Sequence, residues 1–247
     1  MSLIGVTIAS EGFETMAIEA MKRFRKHTGI EKCLLVTNEG EGNYADKLGL
    51  YKLIQPDQTF IYFDADLWFI RDCKLDFMHD RLEFIGCHDP GCNKKYAINH
   101  FPYKDSQTFG IKIDEYVNGG LFAFNYRHIK PFQFAEKIMS EMSVRGGRRF
   151  IDGKRLHDFG EQTSINYAMS KFNIPIDIIP STYNFMPFAC IHVGADPILK
   201  PIAIHAAGYG ADAQFPDESA GEMKTRALLG YEYKYKSGRR DFYELDN

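Results

Sequence analysis

Three short apolar runs, Ile4 to Ala9, Cys33 to Thr37 and Thr59 to Phe63, lie within the first 66 residues, with helix-forming or turn-forming sequence between them. Parallel strands need crossovers of a dozen or more residues, and these intervals are long enough to supply them. The pattern therefore predicts an α/β protein with a mostly parallel sheet covered by helices. In the first interval Phe13, Met16, Ala17, Ala20, Met21 and Phe24 recur at helical spacing until Gly29 stops them. In the second, a turn through Gly40 and Gly42 leads into a short helix around Tyr44 to Leu50. Three strands with two crossovers make a nucleotide-binding half over about residues 1–66.

Beyond Leu67 the alternation is looser. Strands are expected at Leu82 to Cys87, Leu121 to Asn125, Ile174 to Ile179 and Ile202 to His205. Ile129, Phe132, Ala135, Ile138, Met139 and Met142 mark a helix, a second starts near Glu161, and a last one spans about Gly221 to Leu229. His88 to Phe109 follows neither period and reads as a long loop, functional or mobile. Arg145 to Arg149 reads as a basic turn. With no linker, repeat or low-complexity segment, residues 1–247 are expected to form one domain.

Of the 247 residues 45% are hydrophobic and 26% charged, which excludes disorder and fibres. The formal charge of −3 supplies no global field for nucleic acid, so no nucleic-acid partner is expected. No apolar run approaches the roughly 18 residues of a membrane span, and the start of the chain does not read as a signal peptide, so a cytoplasmic protein without a transmembrane segment is expected. Lys234, Lys236, Arg239 and Arg240, interleaved with Tyr231, Tyr233 and Tyr235, could be a solvated tail, or could touch an anionic acceptor or a membrane surface. Five cysteines, an odd number in a chain of this size, argue for reduced thiols. Cys87 and Cys92 lack the further nearby ligands of a zinc site, and Cys190 with His192 lacks a third orienting group for nucleophilic chemistry.

The sharpest chemical feature is Phe60-Ile61-Tyr62-Phe63-Asp64-Ala65-Asp66-Leu67-Trp68, an apolar strand that delivers two carboxylates separated by one residue. Ligands in open α/β sheets sit beyond the carboxyl ends of strands. Two acids crowded there repel unless a cation neutralises them, and their hard oxygens suit Mn2+ or Mg2+. The bland alternative is that one Asp caps a helix and the other faces water.

These residues resemble the Asp-x-Asp motif of the GT-A glycosyltransferases, in particular the retaining glycogenin and galactosyltransferase-like group known as family 8. Val117-Asn118-Gly119-Gly120-Leu121 is similar to that family's Asn-small-Gly segment, and Glu161-Gln162-Thr163-Ser164-Ile165-Asn166 to its acidic-Gln helix start. Pro180-Ser181-Thr182-Tyr183-Asn184 resembles its Pro-x-x-aromatic-Asn segment, and His205-Ala206-Ala207-Gly208 its His-x-x-Gly segment. The motifs stand in the family's order and cover most of the chain, and the resemblance implies the GT-A fold, a Rossmann-like mixed sheet covered by helices on both faces.

The resemblance implies a glycosyltransferase that moves a sugar from a nucleotide diphosphate sugar, a UDP-sugar by family habit, to a saccharide, protein or lipid-linked acceptor with retention of configuration. It implies Mn2+ or Mg2+ held by Asp64, Asp66 and His205. The donor would meet Ile8, Ala9 and Ser10 at the end of the first strand, Lys47, Asp64, Ala65, Asp66, Asn118, Gly119, Gly120 and Gly208. Gln162 and Glu161 would stand at the reacting centre, residues 67–247 would carry the sugar and acceptor, and Tyr96, Phe101 and Tyr103 would stack on acceptor sugars.

Two positions depart from the family pattern. Ala211 stands where the family commonly has a diphosphate-binding Lys, which leaves neutralisation to the metal, Lys47, Lys200, Lys224 or Arg226. Glu161 stands where Asp is common. Two rivals remain. A haloacid dehalogenase-type phosphohydrolase also uses Asp-x-Asp after a strand, but on its first strand and with further acidic ligands in a later pair, and no Asp-Asp pair follows here. A noncatalytic nucleotide-sugar-binding module would keep the fold and bind without turnover.

Overall fold

The computed structural model describes residues 2–10, 12–37, 46–92, 100–157, 160–187, 200–207, 224–229 and 231–232. Strand β1 (Ser2–Ala9) is followed by helix α1 (Glu14–Thr28), strand β2 (Cys33–Thr37), the short helix α2 (Asp46–Gly49) and strand β3 (Gln58–Phe63). Helix α1 ends where Gly29 takes φ 73° and returns its N–H to the Arg25 carbonyl, a left-handed cap that glycine adopts without strain.

Successive side chains of a strand point to opposite faces of its sheet. In β3, Phe60 and Tyr62 join a core with Phe122, Phe124 and Phe132, while Ile61 and Phe63 join another with Met16, Ala20, Phe24 and Trp68. Both faces are therefore covered, and this is why the strand reads as an unbroken apolar run. Phe24 of α1 stacks on Phe63 with centroids 4.6 Å apart, anchoring the last residue before Asp64.

The remaining elements are β4 (Leu67–Phe69), β5 (Phe84–His88), α3 (Phe101–Phe109), β6 (Val117–Asn125), α4 (Ile129–Ser140), β7 (Ser143–Arg145), β8 (Arg148–Ile151), β9 (Lys154–Leu156), α5 (Glu161–Lys171), β10 (Ile176–Ile179) and β11 (Ala203–His205), with helical turns between several of them. The central sheet runs β10-β5-β6-β3-β1-β2. The pairs β1 with β2, β1 with β3 and β5 with β10 are parallel, whereas β6 runs antiparallel to both β3 and β5. A second sheet of two antiparallel strands pairs β11 with β4, setting His205 opposite Leu67. The Ala206 N–H then bonds the Asp66 carbonyl at 2.9 Å. That pairing brings position 205 to the carboxylates.

The segment from His88 to Phe109 is more regular than expected. Pro90–Cys92 forms a helical turn and Phe101–Phe109 is helix α3, while residues 93–99, which include Tyr96, lie outside the described residues. The periodicity is hidden because the buried face of α3 includes Asp105 and Ser106 beside Phe109. Asp105 accepts from the His157 N–H and the Thr163 hydroxyl, at 2.7 and 2.8 Å, so a polar residue fills a core position. Strand β6 begins at Val117, not Leu121, and so carries Asn118, Gly119 and Gly120. The Arg145 to Arg149 turn is a β-hairpin, with Gly146 and Gly147 at positive φ. Residues 224–229 are helical, within the expected last helix. Cys33, Cys73 and Cys87 are free thiols, and Cys190 and His192 fall outside the described residues. No helix among the described residues is long and apolar enough to cross a membrane.

Candidate active site

Asp64 and Asp66 follow the carboxyl end of β3, and His205 ends β11. Ligand atoms of these three residues lie within 4.8 Å of one another. His205 Nε2 stands 3.5 Å from Asp64 Oδ2 and 3.2 Å from Asp66 Oδ1. Lys47 of α2 is buried beside them, 2.8 Å from Asp64 Oδ1, 3.8 Å from Glu161 Oε1 and donating to the Gly119 carbonyl at 3.4 Å. The Tyr62 hydroxyl also donates to Asp64. Lys224 donates to Asp66.

Two backbone N–H groups of β6 determine how the surrounding amides point. The Gly120 N–H donates to Asn118 Oδ1 at 2.9 Å, which leaves Asn118 Nδ2 to donate to Asp89 Oδ2 at 2.8 Å. Asn184 Nδ2 also donates to Asn118 Oδ1, at 2.9 Å, so Asn184 Oδ1 is turned to His205 Nδ1, 2.9 Å away. A carbonyl oxygen can only accept, so Nδ1 carries the proton and Nε2 faces the carboxylates. In the same way the Gly119 N–H donates to Gln162 Oε1 at 2.7 Å, and Gln162 Nε2 donates to Asp89 Oδ2 at 2.9 Å. Gln162 Oε1 also accepts from Asn118 Nδ2 at 3.2 Å.

The close approach at Gly120 requires glycine, because a Cβ there would lie 2.2 Å from His205 Cε1. Asn166 of α5 locks that helix onto β6, accepting from the Val117 N–H at 2.7 Å and donating to the Val117 carbonyl at 2.8 Å.

Charge is tightly balanced here. Burial alone would raise both aspartates. Lys47 and His205 instead pull Asp64 down to about 2, and Lys224 and His205 hold Asp66 well below the carboxylate range. Burial disfavours the His205 imidazolium, yet Asp66 and Asp64 outweigh it and lift the ring to about 9. Burial raises Glu161 against the pull of Lys47, and Glu161 Oε2 has no hydrogen-bond partner among the described residues.

A divalent cation fits this donor set. Two carboxylates and an imidazole converge, and Asn184 anchors the far nitrogen of that imidazole as outer partners of metal ligands commonly do.

Of the expected site residues, Lys47, Asp64, Asp66, Asn118, Gly119, Gly120, Glu161, Gln162 and His205 thus share one connected region. Ala9 packs with Ala65 and Ala17, which places the end of β1 beside the aspartates. The Ile8 side chain packs with the Phe60 and Tyr62 core, so any donor contact there falls to backbone, and the Ser10 carbonyl accepts from the Phe13 N–H. Phe101 is exposed and Tyr103 packs against the core around Phe109 and Tyr116. Gly208 and Ala211 lie outside the described residues. Asp89 is the residue that sequence reasoning missed. Its signal was its position in Asp89-Pro90-Gly91, a turn at the carboxyl end of β5, where sheet ligands gather.

The central mixed sheet with helices on both faces is the GT-A arrangement, and solved structures similar to this chain include several glycosyltransferases. The galactosyltransferase LgtC, solved with donor and acceptor sugar analogues, superposes with TM-score 0.60 at 12% identity, covering 95% of this chain and 94% of LgtC. The bifunctional glycosyltransferase WbbM gives 0.57 at 12% identity over 84% of this chain, which spans only 46% of WbbM. The glycosyltransferase GlyE of Streptococcus pneumoniae gives 0.56 at 14% identity, covering 98% of this chain and 61% of GlyE. At these identities the likeness is one of fold. No protein-family model matches the sequence, and comparison with curated proteins finds no match.

Proposed function

We propose that this chain is a glycosyltransferase that uses a nucleotide diphosphate sugar, a UDP-sugar in the first instance, with Mn2+ or Mg2+ held by Asp64, Asp66 and His205. The observation that carries the reading is the convergence of those three side chains at the carboxyl end of β3, with His205 Nε2 turned inward. When bound, the cation would supply positive charge to the diphosphate leaving group as the glycosidic bond opens.

The chain's own residues would do the rest. Lys47 neutralises Asp64 and Glu161 from beneath, keeping both in place. Asn184 presents the Nε2 side of His205. Glu161 Oε2, buried and without a hydrogen-bond partner among the described residues, is proposed to accept from a sugar hydroxyl. Gln162 Oε1 already accepts from Gly119 and Asn118, so the amide fits a positioning role. The absence of a titrating group on Gln162 accords with retention of configuration, in which no general base activates the acceptor across the ring. The acceptor is proposed to be a saccharide, or a protein or lipid-linked group, with exposed Phe101 offering an aromatic face.

A panel of nucleotide sugars in a thermal-shift assay with and without Mn2+ tests this, since a ligand that binds only the folded state raises its stability by mass action. UDP or a UDP-sugar should raise Tm only when Mn2+ is present. Anomeric NMR of the product then reads stereochemistry, and binding without any turnover would favour a noncatalytic module.

A further inference from the structure

Lys224 is delivered to Asp66 by a firmly docked helix. Leu228, four residues on, is buried against the cluster containing Trp68 and Phe69, and Tyr231 is buried in the same cluster. Positions 224, 228 and 231 share one helix face, so burying the latter two aims Lys224 inward. Glu232 pairs with Arg23 at 2.7 Å, and the Arg23 guanidinium lies 4.2 Å over the Trp68 ring, two residues from Asp66. The other basic residues considered for the diphosphate, Lys200 and Arg226, are exposed.

The site without metal is already supplied with cations: Lys47 on Asp64, Lys224 on Asp66. A divalent ion bound by Asp66 competes with the Lys224 ammonium for the same carboxylate and repels it once bound. The anion that arrives beside that metal is the diphosphate of the donor. A flexible four-carbon stem and a point charge suit the transfer from one oxygen to another.

We propose that Lys224 is the diphosphate-binding cation of this chain, held on Asp66 in the metal-free protein and passed to the nucleotide when metal and donor enter together. This rests on the metal-dependent reading of the site. It makes metal and nucleotide binding mutually reinforcing, because each removes a competitor or supplies a partner for the other.

The test titrates Mn2+ into the full chain without nucleotide, and then UDP at saturating Mn2+, for wild type, Lys224→Gln and Lys224→Arg, by calorimetry. Lys224→Gln should bind Mn2+ alone several-fold more tightly than wild type, since the competing ammonium is gone. The same variant should bind UDP about tenfold or more weakly. Lys224→Arg keeps the charge and should recover most of the UDP affinity, which separates loss of charge from loss of fold. Equal Mn2+ affinity in wild type and Lys224→Gln, or unchanged UDP affinity, would overturn the inference while leaving the metal site standing. A wild type that binds no Mn2+ would remove the metal reading itself, and the inference with it.

Discussion

Asp66 receives Lys224, faces His205 Nε2 and lends its backbone carbonyl to Ala206, so one residue links the strand end to both later segments. Replacing it by Ala should weaken Mn2+-dependent UDP binding by about 10² or more, as expected for loss of one metal ligand, while UDP binding in chelator should not fall, because the change releases Lys224. Calorimetric titration checks both.

His205 gives a pH signature. Its ring is held up to about 9 from an ordinary 6.5 in the metal-free protein, chiefly by Asp66 and Asp64 against burial. A raised folded value stabilises the fold below the unfolded value and loses that contribution as pH rises through the folded one. Metal-free Tm should therefore fall between pH 6.5 and 9, and His205→Gln should flatten that slope. Because the Nε2 proton must leave before a cation is bound, Mn2+ affinity should rise over the same window. A Tm that climbs with pH there would contradict the assignment.

Between elements, the site depends on how closely β6 meets β11. Gly120→Ala would set a Cβ 2.2 Å from His205 Cε1, and the ring is buried and tied through Nδ1 to Asn184, which leaves it little room to move. The expected cost is about 1–3 kcal/mol of stability, with Mn2+ affinity falling further than in a variant equally destabilised elsewhere. Asn184→Ala leaves the strands alone but removes the Nδ1 partner, and should lower Mn2+ affinity about 10–100-fold with an unchanged circular dichroism spectrum.

Elements carrying a mostly apolar run of strand length or an apolar stripe at helical spacing were legible from sequence: β1, β2 and β3 as runs, α1 and α4 as stripes. Helix α3 and the start of β6 were not. Helix α3 hides behind Asp105 and Ser106, and the first residues of β6 are the Asn and Gly that a ligand site needs. The small sheet of β7, β8 and β9 showed only its turn, because its short strands carry exposed arginines where an apolar face would have marked them.

Across the whole molecule, motifs far apart in sequence meet at one end of the sheet. The two aspartates, His205, Asn118 and Gln162 were legible as residues because their chemistry is specific. Their meeting was not, because it depends on the β4 with β11 pairing and on the antiparallel insertion of β6. Asp89 escaped notice because its partners, Asn118 and Gln162, are assembled only by the fold.

Gln162 sits at the centre of that assembly and separates binding from turnover. Gln162→Ala should leave Mn2+ affinity within about twofold and lower sugar transfer by about 10² or more, as misplacing one group at a reacting centre does. Equal losses in nucleotide affinity and turnover would make it a ground-state contact.

The central claim is that sugar is transferred from a nucleotide donor through a cation held by Asp64, Asp66 and His205. The most direct measurement is the rate of UDP release from UDP-sugars by the wild type and by Asp66→Ala, each with Mn2+ and with excess chelator. UDP release should be seen for the wild type with Mn2+ and lost in chelator and in Asp66→Ala, whereas release that continues in chelator, or survives in the variant, would contradict the account.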